Sequence, residues 1–336
     1  MPKESVAVNR HHEVPSEVPL ALVGMSDAAT AARLAMSEAA AGRRPVLLTG
    51  ETGCRPAGVA RALHEAATPA SPFITIDCAA AVAADIEHRL FGSGLRRTPQ
   101  ELEMVGAGAA VVAAGSGTLY LEHVDELPAS AQRRLARILR DGEVRIDGSR
   151  AASAVSFRLV GATSKDLEAE AIEGRFRAEL LRRFVARVSL PTLRQRPQDI
   201  PSILERLARD AGRAGMTITA PAQTILSAMP WPGNLDELAT AFTRILAATG
   251  GTVRQEDVLV HLPIQANFTR PDLTASLREA RRRFERDYIA AVLEHHHWRM
   301  SDAARTLGIE RANLYRKTRQ LGITRGVRGE APAVNR

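Results

Sequence analysis

The sequence predicts an α/β protein: a parallel sheet with helices on its faces, continued by all-helical units. Three observations lead there. Short apolar runs alternate with stretches of helical spacing over the first half of the 336 residues, the pattern of strands joined by crossover helices. A glycine-bearing turn, GETG (Gly50–Gly53), follows the first apolar run directly. The charge is also uneven. Residues 265–336 hold 15 Lys and Arg against 8 Asp and Glu, which leaves 30 of each sign in residues 1–264, so the whole net charge of +7 lies in the last fifth. A basic terminal block is the electrostatic footprint of nucleic-acid binding.

The elements follow in order. Residues 1–19 are polar, carry two prolines and read as a flexible tail. SDAATAARLAMSEAAAG is an Ala-rich helix. RPVLLTGETG is a strand entering a loop. PAGVARALHEAA opens with Pro56 at a first helical position, where its missing N–H does no harm. SPFITIDCAA, GTLYLEHV and SFRLVGATS are three further strands. SAQRRLARILRDGEVRI has apolar residues at helical spacing throughout. After Pro191 every periodic segment is helical. The boundaries are an α/β domain over 20–191, a helical lid over 192–262, a linker over 263–277, a C-terminal helical domain over 278–325 and a tail over 326–336.

An apolar fraction of 45% supports a sizeable core. No apolar run reaches eighteen residues, which excludes a predicted membrane helix, and the first twenty residues lack the apolar heart of a signal peptide. Two cysteines, Cys54 and Cys78, make no disulfide framework. The expected location is cytoplasmic.

The turn at Gly50 begins as a phosphate-binding loop and then departs from one. G-x-x-x-x-G-K-[ST] needs glycine and lysine where this chain has Arg55 and Pro56. The chain has three lysines, Lys3, Lys165 and Lys317, and none is near Gly50 in sequence. LLTGETG, PFITIDCAA, LFG at Leu90–Gly92, GTLYLEH, LRDGEVRIDG, GRFRAELLRRF, LPTLRQRPQDIP and WPGNLDEL occur in that order. Together these segments resemble the AAA+ module of bacterial enhancer-binding activators that work with sigma-54. The resemblance runs from about Val23 to Ile323. It implies an AAA+ P-loop three-layer α/β domain with a helical lid, followed by an all-α Fis-type helix-turn-helix domain.

The departures from the family pattern fall on the chemistry. Its phosphate lysine is Pro56, its acidic pair is Glu122–His123, its polar sensor is Ser164 and its lid arginine is Asp236. Arg177 and Arg183 keep the positions that act across a subunit interface. Its sigma-54 loop, GAFTGA, is missing: the chain reads SGLRRTPQELEMVGAGAAVV there, and GAGAAVV (Gly106–Val112) reads as a packed helix. ATP hydrolysis is largely positioning and electrostatic stabilisation of phosphates. Without the lysine, the lid arginine and the water-polarising glutamate, no catalytic residue is assigned and no resident cofactor or metal is expected. A degenerate nucleotide pocket would comprise Gly50, Glu51, Thr52, Gly53, Arg55, Glu122, Arg177 and Arg183, with ATP and Mg²⁺ its alternative ligands.

RRRFERDYIAAVLEHHHWRMSDAARTLGIERANLYRKTRQLGI (Arg281–Ile323) resembles the Fis-type domain that ends the same activators. Phe284, Tyr288, Ile289, Val292 and Leu293 share one helix face, which suggests a dimer through the C-terminal domain. Ser301 is read as the cap of the next helix, Gly308 as the turn, and Ile309 and Leu314 as inward-facing. Arg311 and Asn313 are the candidate base readers; Arg316, Lys317 and Arg319 are candidate phosphate ligands. His295–His297 cannot all face one ion from a regular helix and are read as a turn. Cys54, beside Arg55, is a candidate for a lowered pKa and a redox role.

Three functions remain open at this point. The first is a DNA-binding transcriptional regulator with the AAA+ body as an oligomerisation or partner scaffold, contacting the DNA major groove and possible RNA polymerase but no membrane. The second is an ATP-dependent sigma-54 activator with substituted catalytic residues. The third is an inactive subunit that damps an active paralogue in a higher ring.

Overall fold

The computed structural model describes residues 18–92, 102–261, 285, 286, 289, 293, 298–306 and 310–323. It divides into two units, 1–261 and 262–336. In chain order the strands are β1 (Val46–Thr49), β2 (Phe73–Asp77), β3 (Met104–Val105), β4 (Thr118–Glu122), β5 (Glu143–Ile146), β6 (Ala152–Ala154), β7 (Arg158–Thr163), β8 (Ala186–Ser189), β9 (Thr217–Ile218) and β10 (Thr252–Val253).

The main sheet has five strands in the order β2-β4-β7-β1-β8, and every pairing in it is parallel. The four strands expected from the apolar runs are all in it. The fifth, β8 (ARVS), alternates polar and apolar residues and carries no run that would announce it. The central strands are buried on both faces: all six residues of β7 and four of five in β4 are buried, as a sheet covered by helices requires. The core on one face gathers Ile76, Ile86, Phe91, Leu119, Leu121 and Leu135.

Three sequence readings need correction. SAQRRLARILRDGEVRI is not one helix. The helix runs Ala129–Asp141 and stops at Gly142, which takes a left-handed φ of 67°; EVRI then becomes β5, paired with β3 and β6. The region after Pro191 is not wholly helical, because β9 and β10 pair across the lid. GAGAAVV is helical only over Ala110–Ala113, though Ala109, Ala110 and Val111 do pack inward.

Two buried polar groups tie elements together. Arg158, 2% exposed at the start of β7, donates to three carbonyls, those of Ala39 (2.6 Å), Leu63 (3.3 Å) and Arg44 (3.3 Å). Burial pushes its guanidinium down to about 10, still cationic at neutral pH. Asp199 accepts the N–H groups of Met25 and Ser26 (both 2.9 Å) and the Ser26 hydroxyl (2.5 Å), which fastens the start of the lid to the residues before the first helix, Asp27–Ala40. The lid has its own core around Trp231, whose indole N–H donates to Leu226 O at 2.8 Å.

His64, buried in the helix Pro56–Ala67, bonds through Nδ1 to the hydroxyls of Thr118 (3.0 Å) and Thr68 (3.3 Å). Burial lowers its pKa, so the fold holds it neutral. The unfolded chain takes the proton first as pH falls. The stability His64 contributes is therefore present above its unfolded pKa, about 6.5, and lost below it. Melting curves from pH 7 to 5 are expected to fall more steeply for the wild type than for His64→Gln; coincident slopes would exclude His64 as the cause.

In the second unit, Ile289, Leu293, Ala303, Ala304 and Leu314 form a small core with Trp298 and Leu321 against it. Helices span Met300–Thr306 and Arg311–Leu321. The 1–19 tail (up to residue 17), the linker 263–277, the 326–336 tail, Phe284, Tyr288, Val292, His295–His297, Gly308 and Ile309 lie outside the described residues.

Candidate nucleotide pocket and DNA interface

A cavity of about 530 Å³ opens where β1, β4 and β7 end, the end of a parallel sheet where ligands of α/β proteins collect. The loop Gly50–Arg55 forms its floor, Glu122 and His123 one wall, and Leu20 and Ala21 an apolar end. The loop keeps a phosphate-loop shape. Gly53 has φ 84°, and a Cβ there would stand 2.1 Å from Gly233 O. Arg55 occupies the left-handed region at φ 58°, ψ 57°. That conformation suits the glycine the motif asks for, and an L-residue there costs about 1–2 kcal/mol. Pro56 then begins the helix as expected, with no N–H to offer an anion.

The contents of the cavity differ from those of a phosphate site. Arg55 Nε donates to Asp236 Oδ1 at 2.6 Å, so the loop's guanidinium and the lid's carboxylate neutralise each other. Glu51 forms a two-pronged pair with Arg194, one arm at 2.6 Å. Asn234 Nδ2 donates to Thr52 O at 2.9 Å, its Oδ1 accepts from Leu193 N–H at 3.1 Å, and Asp236 N–H donates to Gly53 O at 3.2 Å. The lid helix Asn234–Ala248 is thus bonded directly to the loop. In the sequence Arg55 and Asp236 stand as separate departures, and their opposite signs are the available signal that they pair; nothing in the sequence singles out Asn234 or Arg194.

Glu122 ends β4 and lines the cavity. His123, left-handed at φ 50°, places Nδ1 2.8 Å from Asp77 Oδ1, and that hydrogen bond raises its pKa. Its ring is engaged with the Asp77 carboxylate, and an imidazole there does not reproduce a water-polarising carboxylate. Lys165 follows the strand that pairs with β1, yet its ammonium is held by Glu126 (2.6 Å) and Asp125 (3.1 Å). Arg177 and Arg183 do not line the cavity. Arg177 N–H donates to Gln132 Oε1 at 2.7 Å, and Arg183 Nε is buried without a hydrogen-bond partner. Cys54 contradicts the expected lowered pKa: it is buried, and burial pushes its thiol up; burial likewise pushes the Cys78 thiol up, there to about 12. A buried, protonated thiol is a packing group. Among the described residues no cluster of three or more His, Cys, Asp or Glu is placed to hold a metal ion, and no helix is long and apolar enough to cross a membrane.

In the second unit, Trp298 takes φ 63°, and its N–H donates to Leu293 O at 2.7 Å. The next helix starts earlier than expected. Ala303 N–H bonds to Arg299 O, so Ser301 lies exposed inside the first turn and not at the cap. Leu314 and Thr318 anchor the helix Arg311–Leu321, leaving Arg311, Tyr315, Arg316 and Arg319 exposed. Asn313 Oδ1 accepts from Arg316 Nη2 at 2.7 Å, which couples a candidate base reader to a candidate phosphate ligand. Lys317 is bound to Glu285 and does not stand free as a phosphate ligand.

A parallel P-loop sheet, a helical lid and a terminal helix-turn-helix define an AAA+ regulator architecture. Residues 22–189 match the sigma-54 interaction domain family, 194–275 the AAA+ ATPase lid domain, and 280–321 the Fis family of bacterial regulatory proteins. The chain belongs to the sigma-54 interaction domain family. The anaerobic nitric oxide reductase transcription regulators NorR of Escherichia coli strain SE11 and of Shigella flexneri are each 30% identical to it over 325 residues, covering 90% of this chain and 63% of the relative. The chain therefore spans a little under two thirds of those relatives. NtrX from Brucella abortus, crystallised with ATP, is 30% identical with a TM-score of 0.60, covering 90% of this chain and 69% of that one.

Proposed function

We propose that the chain is a sequence-specific DNA-binding regulator of transcription whose AAA+ domain and lid are a scaffold for self-association, without ATP turnover or sigma-54 contact. The Arg55–Asp236 pair carries this reading. In a working site a cation faces the phosphates; here the loop's cation is neutralised by an acid from the lid. The other lid bonds, to Thr52 and Gly53, further favour a lid that docks without nucleotide. Loss of each electrostatic contact to a transferring phosphate removes about 3–4 kcal/mol of barrier stabilisation, and several are missing. Double-stranded DNA is the partner of the Arg311–Leu321 helix. Arg177 and Arg183 are assigned to contacts between copies in a ring, and the C-terminal domain to a dimer, although Ile289 and Leu293 of the predicted stripe are committed to that domain's own core.

The preserved cavity and the ATP-bound NtrX relative favour the second reading, an ATP-dependent activator with Arg55 as phosphate cation and Glu122 as metal ligand. Steady-state ATP turnover with and without DNA, beside a Pro56→Lys variant, decides between them. The scaffold reading expects background rates in both proteins. Hydrogen exchange should show the Asp236 amide protected without nucleotide, and about two- to fivefold less so in Arg55→Ala, the range of an exposed ion pair. Clear wild-type turnover overturns the scaffold reading.

A further inference from the structure

Tyr315 has no role in the reading so far. It is 51% exposed, and among the described residues of the second unit it is the one large hydrophobic side chain left in solvent. It lies on an exposed stripe of the helix Arg311–Leu321, four residues from Arg311 and four from Arg319, beside the buried face made by Leu314 and Thr318. At 1.5 Å per residue its Cα stands about 6 Å along the helix from each arginine, roughly two base pairs at 3.4 Å per step. The Arg311 guanidinium lies over its ring, 5.7 Å from the centroid. Nearby polar groups are committed to one another: Asn313 to Arg316, and Lys317 to Glu285.

We propose that Tyr315 is a specificity-determining residue of the DNA interface, its ring packing on the C5-methyl of a thymine about two base pairs from the base that Arg311 reads. The thymine methyl is the apolar group displayed on base edges in the major groove, and Tyr315 is the apolar group displayed at the centre of the stripe. The ring has a second task, holding the long Arg311 side chain over one position and reducing the freedom lost when it meets a base. This inference rests on the DNA-binding reading and adds the chemistry of one base position to it.

The test starts from the full chain. Binding sites are selected from a randomised duplex library, and each thymine of the enriched site is then replaced singly by uracil, which removes only the methyl group. One or two positions are expected to bind about fourfold more weakly, the effect of uncovering one methyl-sized group. Tyr315→Ala should bind thymine and uracil equally there, while Tyr315→Phe keeps the difference. Uniform indifference to uracil would overturn the proposal alone, and so would Tyr315→Phe losing as much as Tyr315→Ala, which would instead assign the side chain to a phosphate through its hydroxyl. Failure to enrich any site would overturn the DNA-binding reading, and this inference with it.

Discussion

Replacing Arg158 by alanine is expected to destabilise the first unit by about 3–5 kcal/mol, the range for emptying a large buried site. Two effects oppose each other at this position. The buried guanidinium is held without a carboxylate, and burial already pushes it down to about 10, so removing the charge relieves a desolvation penalty. Against that, the side chain fills a fully buried space and satisfies carbonyls from three segments, at Ala39, Arg44 and Leu63. Those carbonyls belong to the end of the first helix, the approach to β1 and the helix behind the phosphate loop. Arg158→Met separates the effects, because it keeps most of the volume and removes every donor. Its loss should be smaller, about 1–3 kcal/mol, the penalty for buried acceptors left unpaired. Urea midpoints of the two variants measure both. An alanine variant as stable as the wild type would mean that Arg158 is a passenger and not a tie.

Most of the sheet was legible because β1, β4 and β7 are buried on both faces and so read as apolar runs, while the half-buried edge strand β2 reads through its aromatic and β-branched residues. β1, β2, β4 and β7 announce themselves in VLLT, FITID, TLYLE and RLVGAT. β8 does not, since two of the four residues in ARVS are exposed and only its place beside β1 makes it a strand. β5 was lost in the preceding helical pattern because the signal that separates them is a single residue, Gly142 in a left-handed turn. The candidate site divides in the same way. Local features survived: Pro56 opens its helix, and Glu122 ends its strand at the cavity. Features made by distant pairing did not. Arg55 and Asp236 stand 181 positions apart, and Glu51 and Arg194 143 apart. Arg55 and Asp236 look like isolated departures, and Arg194 like an ordinary surface residue, until the fold brings the partners together.

Their pairing also explains how a phosphate loop keeps its shape after losing the residues that favour it. Arg55 sits in a glycine conformation, and Gly53 leaves no room for a side chain against Gly233. Bonds from Asn234, Asp236 and Arg194 hold the loop from the lid side.

The second large effect concerns the helix Arg311–Leu321. Arg311→Ala is expected to weaken binding to a selected site by about 5- to 150-fold and to relax the preference at one base pair. A bidentate arginine–guanine contact is worth about 1–3 kcal/mol of discrimination. Arg319→Ala, eight residues further along the same exposed stripe, is expected to behave differently. A phosphate contact carries no sequence information, so selected and random duplexes should weaken alike, and the slope of log K against log salt should become shallower by about one. The contrast is sharpened by the bonds within the domain. Arg316 must release Asn313 before Asn313 can present both its donor and its acceptor to adenine. Arg316→Ala therefore combines a lost phosphate contact with a freed base reader, and should alter the sequence preference as well as the salt slope. Titrations of the three variants at several salt concentrations separate these outcomes. Equal, salt-independent losses in all three would mean that the helix is needed only for folding, and would place the DNA contact elsewhere on the chain.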